Sequence, residues 1–149
     1  MKCLALVVCP LFLLSVARAQ DDIPSGAGKD TVQRVCTACH DLSAVQTMTG
    51  DKGIWQSVAD DMRSRGADGT DEDFKAIVTY LSKYFGQPVN VNTAAAKDLE
   101  TQLDITSAEA AAIVKYRTDK GNFKVFADLS KVPNLDVSKI EPLKKRIKF

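Results

Sequence analysis

One short motif constrains this chain more than any other feature. Cys36 and Cys39, with His40 directly after them, form a C-x-x-C-H pattern. This pattern is the attachment signature of c-type haem, in which two thiols bond covalently to the porphyrin edge and the adjacent imidazole becomes an axial ligand of the iron. A chain with such a group must fold around a large, flat, apolar body. The motif therefore predicts one covalently bound haem c and an electron-transfer function.

Two other uses of paired cysteines fit the sequence less well. A thioredoxin-like redox motif needs a strand–helix–strand context, which the residues around Cys36 do not show. A zinc site needs four ligands, whereas the chain after residue 19 offers only Cys36, Cys39 and His40 as soft ligands. Haem attachment remains the prediction for these three residues.

Residues 1–19 have the pattern of a secretory signal peptide. A basic start precedes an almost wholly apolar run from Leu4 to Val16, and Ala17 to Ala19 has the A-x-A form of a cleavage site. Cys3 and Cys9 leave with this segment, so the mature chain keeps only the haem pair. The apolar run is too short to span a bilayer comfortably. We expect export to the periplasm, or otherwise across the cytoplasmic membrane, and no stable membrane span.

The charge of the chain is unevenly distributed. The formal net charge is only +1, but residues 20–86 carry seven Lys/Arg against eleven Asp/Glu, and residues 87–149 carry eleven against eight. The first segment is therefore acidic and the second basic. Gly86, Gln87 and Pro88 mark the division, because glycine ends helices and proline commonly follows. We predict two domains, residues 20–86 and residues 87–149.

Three helices are predicted in the first domain. Lys29 to Cys36 leads into the haem motif, and Ile54 to Arg63 places apolar side chains on one face. Thr70 to Phe85 begins at an N-capping threonine, continues with three acidic residues that favour the helix dipole, and ends at Gly86. Fewer than about 70 residues make a small core. A covalently held haem completes it.

Methionine is the expected second axial ligand of the iron. His40 is the only histidine, so one chain cannot supply two, and methionine is the usual alternative. Met62 is preferred, since it shares a helix face with Trp55 and has the longer tether to the motif. Met48, in the segment from Thr47 to Gly50, is the alternative ligand, and an open sixth position is a third possibility.

These residues together resemble a small monohaem cytochrome c domain of bacterial type. The similarity runs from Cys36 through Trp55-x-x-Val58-x-x-x-Met62-x-x-x-Gly66 to Tyr80-Leu81 and Phe85-Gly86. In such domains the helix that carries the C-x-x-C-H motif packs across the last helix. A methionine from the segment between these two helices is the second axial ligand of the iron. The resemblance implies an all-α fold.

Residues 87–149 are similar to the tandem helix-hairpin-helix domain of competence-type DNA-uptake proteins. Val89 to Ala94 matches the V-N-[IV]-N-T-A opening, Ala110 to Arg117 matches the long helix, and Gly121 to Phe123 and Phe126 to Leu129 follow. The resemblance implies a small all-α domain made of two helical hairpins.

An internal repeat supports the same fold. Asp98-Leu99, Ile105, Ala110 and Ile113 recur as Asp128-Leu129, Leu135, Ile140 and Leu143. Thr106 with Glu109 predicts a capping box, and Asp136 is the matching N-cap of the second copy. Pro142 is expected to kink the last helix or to shift its start.

The residues that contact DNA in this family are replaced. The DNA-binding form carries a G-[IVL]-G turn in each hairpin, whose backbone amides approach a phosphate closely. Asp104 and Thr106 stand at these positions in the first hairpin, and Asn134 and Asp136 in the second. DNA binding is therefore disfavoured, and we expect a docking or structural module. The basic run Lys144 to Lys148 is interpreted as a solvated helix end.

The sequence thus predicts an exported monohaem electron carrier, not an enzyme. Its expected partners are redox proteins, for example an envelope dehydrogenase. The first alternative is a haem-containing factor of the cell envelope that binds or takes up DNA. The second is a haem enzyme or gas sensor, which needs an open or labile sixth position, and no acid–base pair or second histidine accompanies the motif.

Overall fold

The computed structural model describes residues 23–149. The predicted signal peptide lies outside the described residues. The elements in chain order are α1 (Lys29–Cys36), α2 (Ser43–Thr47), α3 (Lys52–Ser64), α4 (Asp71–Tyr84), β1 (Val89–Asn90), α5 (Ala96–Leu103), α6 (Ser107–Lys120), a first 3₁₀ helix (Phe126–Lys131), α7 (Val137–Ile140), a second 3₁₀ helix (Glu141–Arg146) and β2 (Ile147–Lys148). The predicted all-α fold is confirmed. In residues 23–149, no helix has both the length and the apolar character needed to cross a membrane.

Helices α1 and α3 both pack against α4. The first and third predicted helices of this segment are found almost as expected, and α4 begins with a complete capping box between Thr70 and Asp73. The second begins at Lys52, two residues before the predicted start. The reason is Asp51, whose carboxylate accepts a hydrogen bond from the backbone amide of Ile54 over 2.9 Å and so caps the helix earlier.

One helix of the first segment, α2, was not predicted. It is a single short turn, Ser43–Thr47, and so short a helix leaves little periodicity to detect. Asp41 Oδ1 accepts hydrogen bonds from the backbone amide and the hydroxyl of Ser43, which turns the chain into α2. The buried side chains of Leu42 and Val45 hold it against the core. Met48 follows directly at its C-terminal end.

The second segment consists of two hairpins of unequal regularity. Helices α5 and α6 form the first hairpin. The second is built from the first 3₁₀ helix and α7, so the repeat of the sequence is only approximate in structure. Pro142 has the predicted effect: α7 ends at Ile140, and the proline lies in the first turn of the second 3₁₀ helix. The repeat residues found buried are Leu99, Ile105, Ala110, Ile113, Leu129, Ile140 and Leu143, while Leu135 is half-buried.

The two segments contact each other beyond the predicted boundary. Within the second segment, the C-terminal β2 pairs in parallel with β1, so that Val89 lies opposite Ile147 and Asn90 lies opposite Lys148. The side chain of Arg146 then reaches the end of α4, and buried residues of both segments form one continuous apolar cluster. The division into two domains stays a prediction.

Candidate functional site

A cavity of about 290 Å³ lies in the first segment. Protein interiors normally leave few voids larger than a water molecule, and a cavity lined by apolar groups costs stability. Most of the side chains around this one are apolar, and they come from α1, α2, α3 and α4. They include Val35, Val45, Val58, Phe74, Ile77 and Leu81. The cavity can therefore hold an apolar group.

The predicted haem residues all line this cavity. Cys36 is the last residue of α1 and is half-buried, and Cys39 lies exposed in the turn that follows. Burial raises the pKa of the Cys36 thiol, so this group is protonated at neutral pH. Both cysteines carry free thiols. Both thiols thus belong to residues that line the same apolar cavity.

His40 is oriented by a backbone contact. Its Nδ1 lies 2.6 Å from the carbonyl oxygen of Asp41, and its ring is exposed on the cavity side. In the tautomer assigned to this contact, Nδ1–H donates to the carbonyl, and Nε2 keeps its lone pair for a metal. A histidine ligand commonly has its other nitrogen held in this way. No pattern in the sequence indicates this role of Asp41.

Both candidate methionines lie on the same cavity. Met48 is brought there by α2, and Met62 by α3, on the face that also carries Trp55 and Val58. Both side chains are half-buried. The fold therefore gathers Met48 and Met62 around the C-x-x-C-H motif, and it does not choose between them. The donor set of two thiols, one imidazole and thioethers fits a covalently bound haem.

Trp55 forms a wall of the cavity and is fully buried. Its indole Nε1 donates a hydrogen bond to the carbonyl oxygen of Phe85 over 3.1 Å, and the two rings meet edge to face at 6.5 Å. The backbone amide of Gly50 donates to the same carbonyl over 3.0 Å. A buried tryptophan needs an acceptor for its N–H. The sequence showed the helical face of Trp55 but not this acceptor.

The hairpin turns of the second segment keep the backbone shape that glycine usually provides. Asp104 has φ 53° and Asn134 has φ 61°, both in the left-handed region, although neither is glycine. Aspartate and asparagine tolerate this region better than most residues. The Asp104 carboxylate accepts from Lys83 Nζ over 2.7 Å, which ties the first hairpin to α4. Both turns thus keep this backbone conformation, and the Asp104 side chain makes a contact within the chain.

Glu109 connects the two hairpins. One carboxylate oxygen accepts from the backbone amide and the hydroxyl of Thr106, each over 2.8 Å, and completes the predicted capping box. The other accepts from the backbone amide of Asp136 over 3.2 Å and from Lys139 Nζ over 3.3 Å. These bonds, led by the Thr106 amide, lower the pKa of Glu109 to about 2. The Glu109 carboxylate therefore accepts hydrogen bonds from backbone amides in the turns of both hairpins.

The basic run near the C-terminus differs from the prediction of a solvated helix end. Arg146 is turned inward and is only 6% exposed. Lys144 pairs with Glu141 and lies over the ring of Phe126, at 5.0 Å from its centre. The run folds as a 3₁₀ helix and a strand, in which Arg146 and Ile147 are buried while Lys144, Lys145 and Lys148 are exposed.

The comparisons identify the second segment. Residues 85–148 match the family model of the helix-hairpin-helix motif. Together with the two hairpins and their left-handed turns, this defines the second segment as a helix-hairpin-helix module. Searches of curated proteins and of solved structures found no match to the chain.

Proposed function

We propose that this protein is an exported monohaem c-type cytochrome that transfers electrons and docks through its helix-hairpin-helix module. One observation carries the proposal: a single apolar cavity is lined by Cys36, Cys39, His40 and both available methionines. Cys36 lies in α1 and Met62 in α3, Cys39 and His40 lie in the turn after α1, and Met48 directly follows α2. Chance placement of several soft donors around one apolar cavity is a poor alternative explanation.

Each side chain has a distinct task in this proposal. Cys36 and Cys39 would hold the haem covalently, and the hydrogen bond from His40 Nδ1–H to the Asp41 carbonyl would leave Nε2 free to bind its iron. Met62 would supply the second protein ligand of the iron, with Met48 as the alternative. When bound, the haem supplies an iron that gains and loses one electron. The apolar walls exclude water from it.

The helix-hairpin-helix module is assigned to docking within the chain or to a protein partner. Helix-hairpin-helix modules bind nucleic acid by offering turn amides to a phosphate. Here the Glu109 carboxylate accepts hydrogen bonds from backbone amides of both turns. Asp104 adds a second carboxylate, which forms an ion pair with Lys83. Negative side chains thus occupy the region that a phosphate needs.

Binding to DNA is the second candidate function. The family match and the left-handed turns at Asp104 and Asn134 favour it. The module is also the more basic half of the chain. The charge of the turns themselves opposes it, so it ranks below the electron carrier.

Covalent haem attachment tests the proposal directly. The full chain is secreted from a bacterium that has a haem c attachment system, and the purified protein is denatured and weighed by mass spectrometry. We expect one haem per chain that survives denaturation, with a spectrum that changes reversibly on reduction and oxidation. The Cys36→Ser/Cys39→Ser variant is the control and should carry no covalent haem. Secreted, folded wild-type protein without covalent haem would refute the proposal.

A further inference from the structure

Arg146 is buried without a carboxylate partner among the described residues. Its guanidinium instead donates to backbone carbonyl groups at the end of α4. Nη1 donates to the carbonyl of Lys83, while Nε and Nη2 donate to that of Gln87 over 3.3 Å and 3.0 Å. The last carbonyls of a helix lack partners within the helix, and a cation there also complements the helix dipole. Arg146, from the C-terminal segment, therefore supplies hydrogen-bond donors to backbone carbonyls at and just beyond the end of α4.

Gly86 allows this close approach. A Cβ atom at position 86 would lie 2.6 Å from the guanidinium carbon and 2.6 Å from Nη2 of Arg146. The same Cβ would lie only 2.4 Å from the backbone oxygen of Ser82, which cannot move away as a flexible side chain can, so glycine is the residue that fits at this contact. The contact involves both segments of the chain, because Gly86 ends the first and Arg146 lies near the end of the second.

The same short stretch of backbone supports a wall of the cavity. Phe85 lies between the two carbonyls that Arg146 binds, and its own carbonyl accepts from Trp55 Nε1 and from the Gly50 amide. Trp55 lines the cavity. Within residues 83–87, the Arg146 guanidinium therefore binds the first and last carbonyls, and the Trp55 indole binds the Phe85 carbonyl between them.

We propose that Arg146 is a positioning residue for the haem cavity, because it fixes the backbone whose Phe85 carbonyl holds the Trp55 indole. The helix-hairpin-helix module thereby has a task inside the chain, which is to complete the haem domain through its C-terminal segment. The connection to haem rests on the proposed function. The connection between Arg146 and Trp55 is a property of the fold alone.

Trp55 is the only tryptophan, so its indole N–H gives one unambiguous NMR signal. In the full-length protein, Arg146→Gln should accelerate hydrogen exchange of this N–H by at least tenfold. Lys145→Gln, which removes a charge from the exposed neighbour, should leave it unchanged, and Arg146→Lys should fall between. An unchanged exchange rate in folded Arg146→Gln protein would overturn the proposal.

A measurement on the unsubstituted protein covers the case in which Arg146→Gln does not fold. If the guanidinium and the indole hold one stretch of backbone, the Arg146 Nε–H and the Trp55 Nε1–H should become exposed in a common opening event. Their opening equilibria should then agree within about threefold, and should shift together when mild denaturant is added. Independent responses to denaturant would overturn the proposal.

The reduction potential separates this inference from the proposed function. In the haem-loaded protein, the potential should change more in Arg146→Gln than in Lys145→Gln, although both remove one positive charge. Equal changes would mean that Arg146 acts only through its charge and would contradict a positioning role. Absence of haem would refute the proposed function, whereas the indole exchange would still test the link between Arg146 and Trp55.

Discussion

Glu109 and Asp136 belong to different hairpins, and the backbone amide of Asp136 donates a hydrogen bond to Glu109 Oε1 over 3.2 Å. The Glu109 side chain is only 7% exposed. One buried carboxylate thus accepts hydrogen bonds from backbone amides in the turns of both hairpins. This contact joins the two hairpins of the module.

Replacing Glu109 by alanine should destabilise the protein by about 1–3 kcal/mol, because buried amide donors lose their acceptor. Denaturant unfolding followed by circular dichroism measures this free energy. Glu141→Ala is the matched control, since Glu141 pairs with Lys144 at an exposed position. Its effect should stay within about 0.5 kcal/mol. Equal losses in the two variants would contradict the role given to Glu109.

Stability should fall in acid, partly because of the same residue. The pKa of Glu109 is about 2 in the folded protein, below its ordinary 4.5. A lowered pKa contributes stability above the unfolded value, and this contribution is lost as the pH falls from about 4.5 toward 2. The melting temperature of Glu109→Gln should therefore fall less steeply over this range than that of the wild type. Some slope should remain, since the pKa of Asp128 is also lowered to about 2.

Substitution of the two methionines should identify the second axial ligand. In the haem-loaded, oxidised protein, a sulfur-to-iron charge-transfer band is expected. Met62→Ala should abolish the band, and Met48→Ala should retain it. The reverse result would transfer the ligand role to Met48. Rapid binding of carbon monoxide to the reduced wild type would instead indicate an open or labile sixth position.

Asn134→Gly should stabilise the protein by about 0.5–1 kcal/mol, because glycine adopts the left-handed region without a Cβ penalty. The gain is small because asparagine already tolerates this region. Asn122→Gly is the control in an exposed loop without a positive φ, and it should be neutral or destabilising. Thermal unfolding of both variants checks the difference. A loss of stability in Asn134→Gly would contradict the argument from backbone conformation.

Duplex DNA should not retain the full-length protein at about 0.15 M salt. Phosphate contacts release counterions, so true binding would weaken steeply as salt increases. A chromatographic series at several salt concentrations measures this dependence. Strong retention with a steep salt dependence would favour the DNA-binding alternative. The Glu109→Ala variant then shows whether freeing the turn amides increases retention.

Local patterns predicted much of the fold. The acidic first turn and Thr70 located α4, and the repeat located the buried residues of both hairpins. These signals act over a few residues, where helix periodicity and capping chemistry are strong. The turn α2 was missed because five residues hold little periodicity. The start of α3 shifted because one side chain, Asp51, was not recognised as its cap.

The sequence by itself determined the C-x-x-C-H motif, the all-α class and the two repeated hairpins, because each is written in residues close together along the chain. Only the tertiary structure decided that Met48 and Met62 line one cavity, that Glu109 joins two hairpins, and that Arg146 completes α4. Those contacts join residues far apart in sequence. A lysine, an arginine or a glutamate on a polar helix looks solvated until the fold brings a distant carbonyl or amide to it. The physical reason is that a buried polar group must find its partner wherever the fold places one.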